Sequence, residues 1–407
     1  MPSHSIQELA NQAEVSPEYV SRLIELGALE PDDGDAPNGP WRSGRIRLLH
    51  AWEEAGLSAE NIMDLVRAGE LSISWLDTPA ITRAVRQELT FEQLCSEEGM
   101  PLTTAQSLYE AIGFAPPEPT ERIRVGDREL LALLRMFFAA GAGEGPTLRL
   151  LRVYADSLRR IATAEAELYE SQIEEPQRRS GRSERELIEF GARFGGRIIA
   201  DLERTILGIY HRHREHIWIE HSISHAEIAL ERAGLFEKVP KPPAICFVDL
   251  TGYTRLTEER GDEFAAQVAS NLASLVEDIS RRRGGRPIRW LGDGGMFHFK
   301  EPAAAVLAGL DMVKSAPDAG LPPRHIGIHT GPVVFQDGDV YGRTVNLASR
   351  IASHATGGQV LASEETTRRV SEAGVRFEAI GPVTLKGVAQ PVELYQALRD
   401  PLADSKG

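Results

Sequence analysis

The sequence predicts an α+β domain of ferredoxin-like type in its C-terminal part, preceded by an all-α region that contains helix-turn-helix-like units. Three observations predict this fold class. Apolar residues recur at helical spacing before residue 235, strand and helix patterns alternate after residue 243, and three prolines lie between these parts, at Pro240, Pro242 and Pro243. Because proline cannot continue a helix, we expect residues 235–243 to form the joint.

Length and composition predict two or three domains with hydrophobic cores. The chain has 407 residues, of which 42% are apolar, and it carries a formal charge of −15. A chain of this size and composition buries enough apolar surface for more than one core. The predicted boundaries are 1–80 for a winged-helix or helix-turn-helix-like domain, 81–175 for a second helical subdomain, 183–235 for long regulatory or dimerisation helices and 240–400 for the α+β domain.

The sequence predicts a cytoplasmic protein with no membrane partner. No apolar run approaches the roughly 20 residues that a membrane span needs, and the N-terminus has no basic-then-apolar signal pattern. Cys95 and Cys246 lie far apart inside apolar patterns. We therefore expect two buried, reduced thiols rather than a disulfide or a metal site.

Residues 5–30 show the pattern of a helix-turn-helix. Ser16 followed by Pro17 predicts a helix start, because serine can accept from a free amide and proline there loses no hydrogen bond. The Asp-, Gly- and Pro-rich segment 31–40 predicts a loop or wing. Further helices are expected from Arg45 and from Ser58. Over about the first 75 residues this order resembles the winged-helix DNA-binding domain of MerR-type regulators.

The charge of this segment disfavours DNA as a partner. Residues 1–80 contain five arginines, no lysine and fourteen acidic residues, a formal charge of −9. Phosphate contacts supply most of the affinity for DNA, and an acidic domain repels that backbone. Arg42, Arg45 and Arg47 form the basic cluster at the expected wing. DNA binding through these arginines therefore stays a possibility beside a structural or protein-contact role.

A second segment repeats part of the first pattern. Residues 90–94 parallel residues 5–9 at an offset of 85, and Leu108 with Gly113 parallels Leu23 with Gly27 at nearly the same offset. Similarity that extends over several elements favours two related helical subdomains. Coincidence between two short amphipathic helix pairs is the alternative.

A long helix is predicted directly before the joint. Residues 147–171 suggest one amphipathic helix, and residues 174–185, with Pro176 and Gly181, suggest an exposed linker. Apolar residues then fall three or four positions apart, which predicts one buried stripe against a partner helix or second subunit. The residues of this stripe are Leu187, Phe190, Phe194, Ile198, Leu202, Ile206 and Ile209.

Five of the eleven histidines lie between Tyr210 and Ala226. Histidine changes charge near neutral pH, so this cluster could report acidity by repelling itself when protonated. A solvated helix face is the alternative, and a metal site at His221 and His225 lacks a third ligand. The five residues are His211, His213, His216, His221 and His225.

Short strands and longer helices alternate after residue 243. This order is typical of a ferredoxin-like domain with helices on one face of an antiparallel sheet. Asp249 would end a strand and Asp293 would lie at a hairpin tip, so we expect the two acids to be near each other. The expected elements are strand 244–248, helix 262–282, strands 287–291 and 296–299, helix 303–313, strands 325–329 and 333–335, helix 344–353 and strand 392–397.

Polar residues in this part have the spacing of a nucleotide site. Asp249 and Asp293 are followed by Asp339, Asn346 and Arg350, the last three at steps of seven and four. Two acids that share divalent metal ions, with an amide and a guanidinium further on, suit the handling of a triphosphate. At these residues, over about 155 positions, the sequence resembles the catalytic domain of the class III nucleotidyl cyclases, mostly adenylate cyclases.

The resemblance implies conversion of ATP to 3′,5′-cyclic AMP and pyrophosphate, with two Mg²⁺ or Mn²⁺ ions per active site. Backbone amides, an asparagine and basic side chains would then bind the nucleotide. The roles that it implies are metal ligation by Asp249 and Asp293, phosphate binding by the backbone of Thr251, Gly252 and Tyr253 and by Lys386, ribose orientation by Asn346 and transition-state stabilisation by Arg350.

One position departs from the family pattern. The adenine-reading pair of the family is a lysine four residues before the second metal aspartate and an aspartate or threonine seven before the asparagine. Asp339 fits this pattern, whereas Arg289 replaces the lysine. An arginine fork is not equivalent to a lysine and often pairs with guanine. We therefore expect ATP to be favoured and a guanylate cyclase to be the less expected outcome.

The resemblance also implies a homodimer. In the family, active sites form between two catalytic domains, and this chain carries both residue sets in one domain, so two chains would form two equivalent sites. The helical region would regulate the enzyme by changing how the domains meet. The alternatives are a DNA-binding regulator whose cyclase-like domain senses nucleotide and an interaction scaffold with a degenerate cyclase-like domain.

Overall fold

The computed structural model describes seven segments of the chain and divides it into two compact units. The units are Met1–Ala229 and Leu230–Gly407. The described segments are residues 6–29, 41–73, 86–236, 241–290, 293–315, 321–371 and 374–400.

The region before the joint is largely helical. The prediction of an all-α region was wrong in one detail, because β1 (Arg86–Thr90) and β2 (Arg122–Arg124) form a short antiparallel pair. The helices are α1 (Ile6–Ala13), α2 (Pro17–Glu25), α3 (Trp41–Glu54), α4 (Ala59–Ala68), α5 (Phe91–Glu98), α6 (Leu102–Ala111), α7 (Asp127–Ala139), α8 (Glu144–Tyr169), α9 (Glu175–Arg179) and α10 (Glu184–Arg232).

Local capping explains where several of these helices begin and end. Ser16 accepts a hydrogen bond from the Tyr19 amide at the start of α2, and Ser58 accepts from the Asn61 amide at the start of α4. Both side chains satisfy amides that have no acceptor within the helix. Helix α4 ends at Gly69, whose φ of 79° is the left-handed conformation that glycine adopts readily.

The basic cluster predicted at the wing is not an exposed patch. Arg42 is only 5% exposed, and Nη1 of Arg45 donates to the carbonyl of Ala28 at 3.2 Å. These arginines belong to α3, which packs with α1, α2 and α4 around a core that contains Leu23 and Ile46. The predicted wing, residues 31–40, lies outside the described residues.

The segment predicted as an exposed linker, residues 174–185, is largely helical. A π-helical turn, Glu170–Glu174, joins α8 to α9. Pro176, which has no amide hydrogen, lies in the first turn of α9 directly after this π-helical turn. Arg178 forms ion pairs with Glu174, Glu175 and Glu184.

Helix α10 is 49 residues long and leaves a large part of its apolar surface uncovered. Leu187 at its start is buried, whereas Ile209 and Trp218 further along are 53% and 62% exposed. Large apolar side chains left exposed along a helix favour a partner that covers them. The five clustered histidines lie on this exposed half of α10.

The second unit contains a mixed seven-stranded sheet. Its elements are β3 (Ala244–Leu250), α11 (Tyr253–Arg260), α12 (Asp262–Arg282), β4 (Gly285–Trp290), β5 (Gly294–Phe299), α13 (Pro302–Lys314), β6 (Arg324–Thr330), β7 (Val334–Gln336), β8 (Asp339–Tyr341), α14 (Arg343–His354), β9 (Val360–Ser363), α15 (Glu364–Thr367), β10 (Val375–Val383) and β11 (Val392–Arg399).

The strand order confirms an α+β domain but corrects the prediction of an antiparallel sheet. The order is β10-β11-β9-β6-β3-β5-β4, with β7 and β8 forming a separate hairpin. Strands β6 and β9 are parallel, so the sheet is mixed rather than antiparallel. Their chain connection runs through α14, as parallel strands require a crossover.

Helices cover both faces of the sheet, not one face as predicted. Even-numbered residues of β3, such as Cys246 and Val248, pack against α12 and α13 in the main core. Odd-numbered residues, such as Ile245, pack with Ala348 of α14 in a second cluster on the opposite face. The alternation of side chains along a strand therefore supplies two separate cores.

Both cysteines are free and buried, as predicted, and burial raises the pKa of the Cys246 thiol to about 12. No helix in the seven described segments is long and apolar enough to cross a membrane.

Glycine at position 327 permits the close approach of α14 to β6. A Cβ on Gly327 would lie 2.0 Å from the backbone nitrogen of Ala352 and 2.6 Å from the carbonyl oxygen of Ala348. We expect Gly327→Ala to lower the free energy of unfolding by about 3 kcal/mol, the upper end of overpacking costs, in urea titration followed by tryptophan fluorescence.

Gly309→Ala, in α13 on the opposite face of the sheet from α14, is the matched control. Its Cβ would meet only side-chain atoms, the nearest 3.2 Å away. Improved helix propensity offsets that crowding, so its stability should stay within about 1 kcal/mol of the native protein. Equal stability of the two variants would contradict the role of Gly327.

Candidate active site

Strand pairing brings Asp249 and Asp293 together at one end of the sheet. Asp249 lies opposite Gly294 in the β3–β5 pair, and Asp293 is the residue directly before Gly294. Burial and, next, the neighbouring Asp249 carboxylate raise the pKa of Asp293. The prediction that these two acids lie close together agrees with this register. Residues 291 and 292 of the same motif lie outside the described residues.

His325 joins this pair and was not found by sequence reasoning. It lies opposite Asp249 on β6, with Nε2 at 3.3 Å from Oδ2 of Asp249. Its Nδ1 lies 3.1 Å from Oγ1 of Thr251, and its side chain is only 14% exposed. One consistent arrangement has the Thr251 hydroxyl donating to Nδ1 and Nε2–H donating to Asp249. No local motif marks His325, because its role depends on the strand register.

The loop after Asp249 differs in part from the prediction for phosphate binding. The amide of Thr251 donates to the carbonyl of Pro323 at 2.9 Å and is therefore not available to a ligand. Gly252, with φ of 79°, precedes the first residue of α11, Tyr253. First-turn amides of a helix have no internal acceptor, so Gly252 and Tyr253 remain the candidate phosphate donors of this loop.

The carboxylate pair has the chemistry of a magnesium or manganese site. Within the described residues no cluster of three or more His, Cys, Asp or Glu side chains could hold a metal ion. Magnesium, however, is commonly held by one or two carboxylates, with substrate phosphates and water completing its shell. Burial and, next, the negative charge of Asp249 raise the pKa of Asp293, and a bound cation would offset both effects. Asp249 and Asp293 therefore fit such an ion.

A second group of predicted residues surrounds a pocket of about 230 Å³ beside α14. Its lining residues include Phe247, Arg289, Met296 and Asn346. Arg289 forms an ion pair with Asp339, whose other oxygen accepts from the Val340 amide at 2.8 Å. Both oxygens of Asp339 are therefore engaged, and the two residues predicted to read the base contact each other.

Asn346 and Arg350 lie one turn apart on α14, and both are exposed. Lys386 is exposed in the turn between β10 and β11. The preceding Leu385 packs in a small cluster with Leu347 and Ile351, which places this turn next to α14. Among the site residues, the structure thus forms one group around Asp249 and Asp293 and another around α14.

Comparison with known proteins gives the class of this domain. Residues 241–398 match the family described as Adenylate and Guanylate cyclase catalytic domain. This part of the chain is a class III adenylate/guanylate cyclase catalytic domain, and a largely helical region precedes it.

Three relatives resemble more of the chain. An uncharacterized protein of Mycobacterium tuberculosis is 26% identical over 377 residues, covering 88% of this chain and 92% of that protein. An adenylate cyclase of Streptomyces coelicolor is 26% identical over 66% of this chain and 68% of its own. A pH-sensitive adenylate cyclase of Mycobacterium tuberculosis is 25% identical, covering 75% of this chain and 77% of its own.

A solved structure, the adenylyl cyclase CyaB from P. aeruginosa, is 27% identical and aligns with 41% of this chain and 99% of its own, with a TM-score of 0.37.

The contact between the two carboxylates can be tested without a metal. We expect Asp249→Asn to lower the pKa of Asp293, because the substitution removes the negative charge that disfavours ionisation. Carboxyl carbon NMR titration in EDTA measures this shift. Asp278→Asn, on the exposed end of α12, is the control and should leave the Asp293 titration unchanged. An unaltered Asp293 curve in Asp249→Asn would show that the two groups are not coupled.

Proposed function

We propose that this protein is an adenylate cyclase that converts ATP to 3′,5′-cyclic AMP and pyrophosphate at a homodimer interface. The observation that supports the proposal is the register that pairs Asp249 with Gly294, the residue after Asp293, together with the Coulombic effect of Asp249 on the Asp293 carboxyl group. The relatives named adenylate cyclase, at 25% and 26% identity over most of this chain, support ATP as substrate.

The reaction forms one bond at the α-phosphorus and breaks another. The ribose 3′-oxygen attacks the α-phosphorus, the bond from that phosphorus to the bridging oxygen of the β-phosphate breaks, and pyrophosphate leaves while the hydroxyl proton passes to solvent. Two divalent cations, when bound, lower the pKa of the hydroxyl and neutralise charge on the phosphates. Asp249 and Asp293 would hold these cations, with His325 fixing the Asp249 carboxylate.

The residues on α14 suit the other end of the nucleotide. Asn346 lines the pocket beside Arg289 and would orient the ribose. Arg350, one turn further, would donate to the α-phosphate as negative charge concentrates there. Lys386 would approach the terminal phosphates. Asp339 would accept from the adenine amino group only through a lone pair that its contacts with Arg289 and the Val340 amide leave free.

Exposed apolar residues support the homodimer. Val334 and Phe335 on the β7–β8 hairpin are each 58% exposed, and this hairpin leads directly into α14. Large apolar side chains in solvent mark a surface that is covered in the working assembly. Two copies related by a twofold axis would cover both hairpins and create two equivalent sites.

Regulation is assigned to the helical region. Helix α10 ends at Arg232, twelve residues before β3, and exposes both its apolar face and five histidines. A second copy covering that face would couple the helices of one chain to those of the other. Protonation of the histidines would then oppose such pairing, which is the sensor interpretation of the cluster.

Mixing two inactive variants tests the shared site. Asp293→Asn and Arg350→Ala should each lower cyclic AMP formation with Mn²⁺ by at least about 10²-fold, because each removes a group required in the transition state. After co-refolding of equal amounts, half of the dimers are mixed and hold one intact site, so activity should return to roughly a quarter of the native value.

Arg376→Ala, on exposed β10, is the control for these variants and should keep native activity. A mixture as inactive as its two parents would exclude a site built from two chains. A native protein that makes neither cyclic AMP nor cyclic GMP would exclude the enzyme altogether.

Base selectivity tests the Arg289–Asp339 pair. We expect Arg289→Lys to raise the ratio of kcat/KM for ATP over GTP by roughly tenfold, since a lysine leaves one Asp339 oxygen free for the adenine amino group. Arg286→Lys, on the same strand but outside the pocket, should leave the ratio unchanged. A ratio that is identical in both variants would remove Arg289 from base recognition.

A further inference from the structure

A second pocket, of about 590 Å³, lies at the other end of β3 from the carboxylate pair. Its lining residues include Pro242, two residues before that strand, and Thr330, which lies opposite Ala244. The pocket runs along α14 as far as Leu347. Asp249, Asp293 and Asn346 are not among the residues that line it. It is therefore separate from the candidate active site.

Two arginines bring positive charge to this pocket. Arg343, the first residue of α14, is exposed, and no hydrogen bond or ion pair of its side chain occurs within the described parts of the chain. Arg369 also lines the pocket and uses one guanidinium nitrogen to donate to the carbonyl of Glu365 at 2.8 Å. The Glu365 carboxylate lies on the rim, 3.8 Å from Nδ1 of His329. The fixed charge of the lining is thus two cations against one anion.

His329 adds a buried polar group. Its side chain is only 9% exposed, and Nδ1 lies 2.7 Å from the hydroxyl of Ser363. Nε2 lies 3.6 Å from the position that a Cβ on Gly331 would have, and Gly331 lines the pocket. Burial lowers the pKa of His329, Glu365 raises it, and Arg343 and Arg369 lower it further. When Ser363 donates to Nδ1, the neutral ring carries its proton on Nε2 and presents a donor toward the pocket.

The start of α14 provides further donors. Gly342 precedes the helix and no side chain caps it, so first-turn amides lack an acceptor within the helix. The donors and positive charges of the pocket all favour the same kind of ligand, an oxyanion. They are the uncapped amides, the positive end of a twelve-residue helix, two guanidinium groups and an imidazole N–H. A phosphate has more acceptor oxygens and more charge than a carboxylate, so it can accept from more of these donors at once.

We propose that this pocket binds a phosphate group, carried by free inorganic phosphate or by a small phosphate ester. Bound phosphate would cap α14 and pair with Arg343 and Arg369. Helix α14 also carries Asn346 and Arg350, one and two turns after Arg343. Phosphate binding would therefore set the position of the residues that contact the nucleotide, a consequence that rests on the proposed cyclase activity.

Isothermal titration of the full-length protein in EDTA, at constant ionic strength, tests the site directly. The probes are inorganic phosphate and glycerol 3-phosphate. We expect saturable binding of at least one probe, a loss of affinity of at least tenfold in the double variant Arg343→Gln/Arg369→Gln, and partial recovery in Arg343→Lys/Arg369→Lys. The tighter probe identifies the source of the phosphate group.

Two controls separate this site from others. Arg368→Gln removes an adjacent arginine that pairs with Glu364 outside the pocket and should bind as the native protein does. Arg350→Gln should also leave binding unchanged, because that arginine belongs to the candidate active site.

Three results would each overturn the proposal. They are the absence of saturable binding, equal phosphate affinity of the native and double-glutamine proteins, and loss of binding in Arg350→Gln. Binding is measured without nucleotide or metal, so the phosphate result does not depend on whether the protein has cyclase activity. In an active protein, phosphate should change the rate of cyclic AMP formation in the native chain and not in the double-glutamine variant.

Discussion

The register of β3 against its two neighbours is the constraint on which the candidate active site depends. Asp249 lies opposite Gly294 on one side and His325 on the other, so a single strand position brings two carboxylates and an imidazole together. Side chains alternate along a strand, and a slip of one residue would turn Asp249 into the main core. The burial of Cys246, Val248 and Leu250 in that core prevents the slip. Hydrophobic packing on one face therefore fixes the polar chemistry on the other.

The two carboxylates of this arrangement interact unfavourably with each other. Burial and, next, the Asp249 charge raise the pKa of Asp293, because both disfavour its ionised form. His325 and the Leu250 amide, which donates to Oδ1 of Asp249 at 3.1 Å, keep one carboxylate oriented. Such a site gains more from a bound cation than an isolated aspartate does, because ligand binding relieves repulsion that folding has already imposed.

Helix α14 is the second constraint, because it separates two pockets. Gly327 lets its backbone approach β6, and Ala348 packs on the same face of the sheet. The base pocket with Arg289 and Asn346 lies on one side, and the pocket with His329 and Arg343 lies on the other. Both pockets include Gly342, directly before the helix. The proposed effect of phosphate on the nucleotide site would pass through this shared boundary.

The sequence by itself determined the α+β class of the second unit and most of its helix and strand bounds. It also determined the helix starts at Ser16 and Ser58 and the order of Asp249, Asp293, Asn346 and Arg350. These features depend on local periodicity, capping and motif spacing, which neighbouring residues in the chain define. Tertiary structure alone decided that β6 and β9 are parallel, that helices cover both faces, that Arg42 is buried, and that the Thr251 amide is already bonded to Pro323. It also decided that His325 contacts Asp249 and that Arg289 pairs with Asp339. Each of these joins residues distant in the chain, whose distances depend on strand register and helix packing rather than on neighbouring side chains.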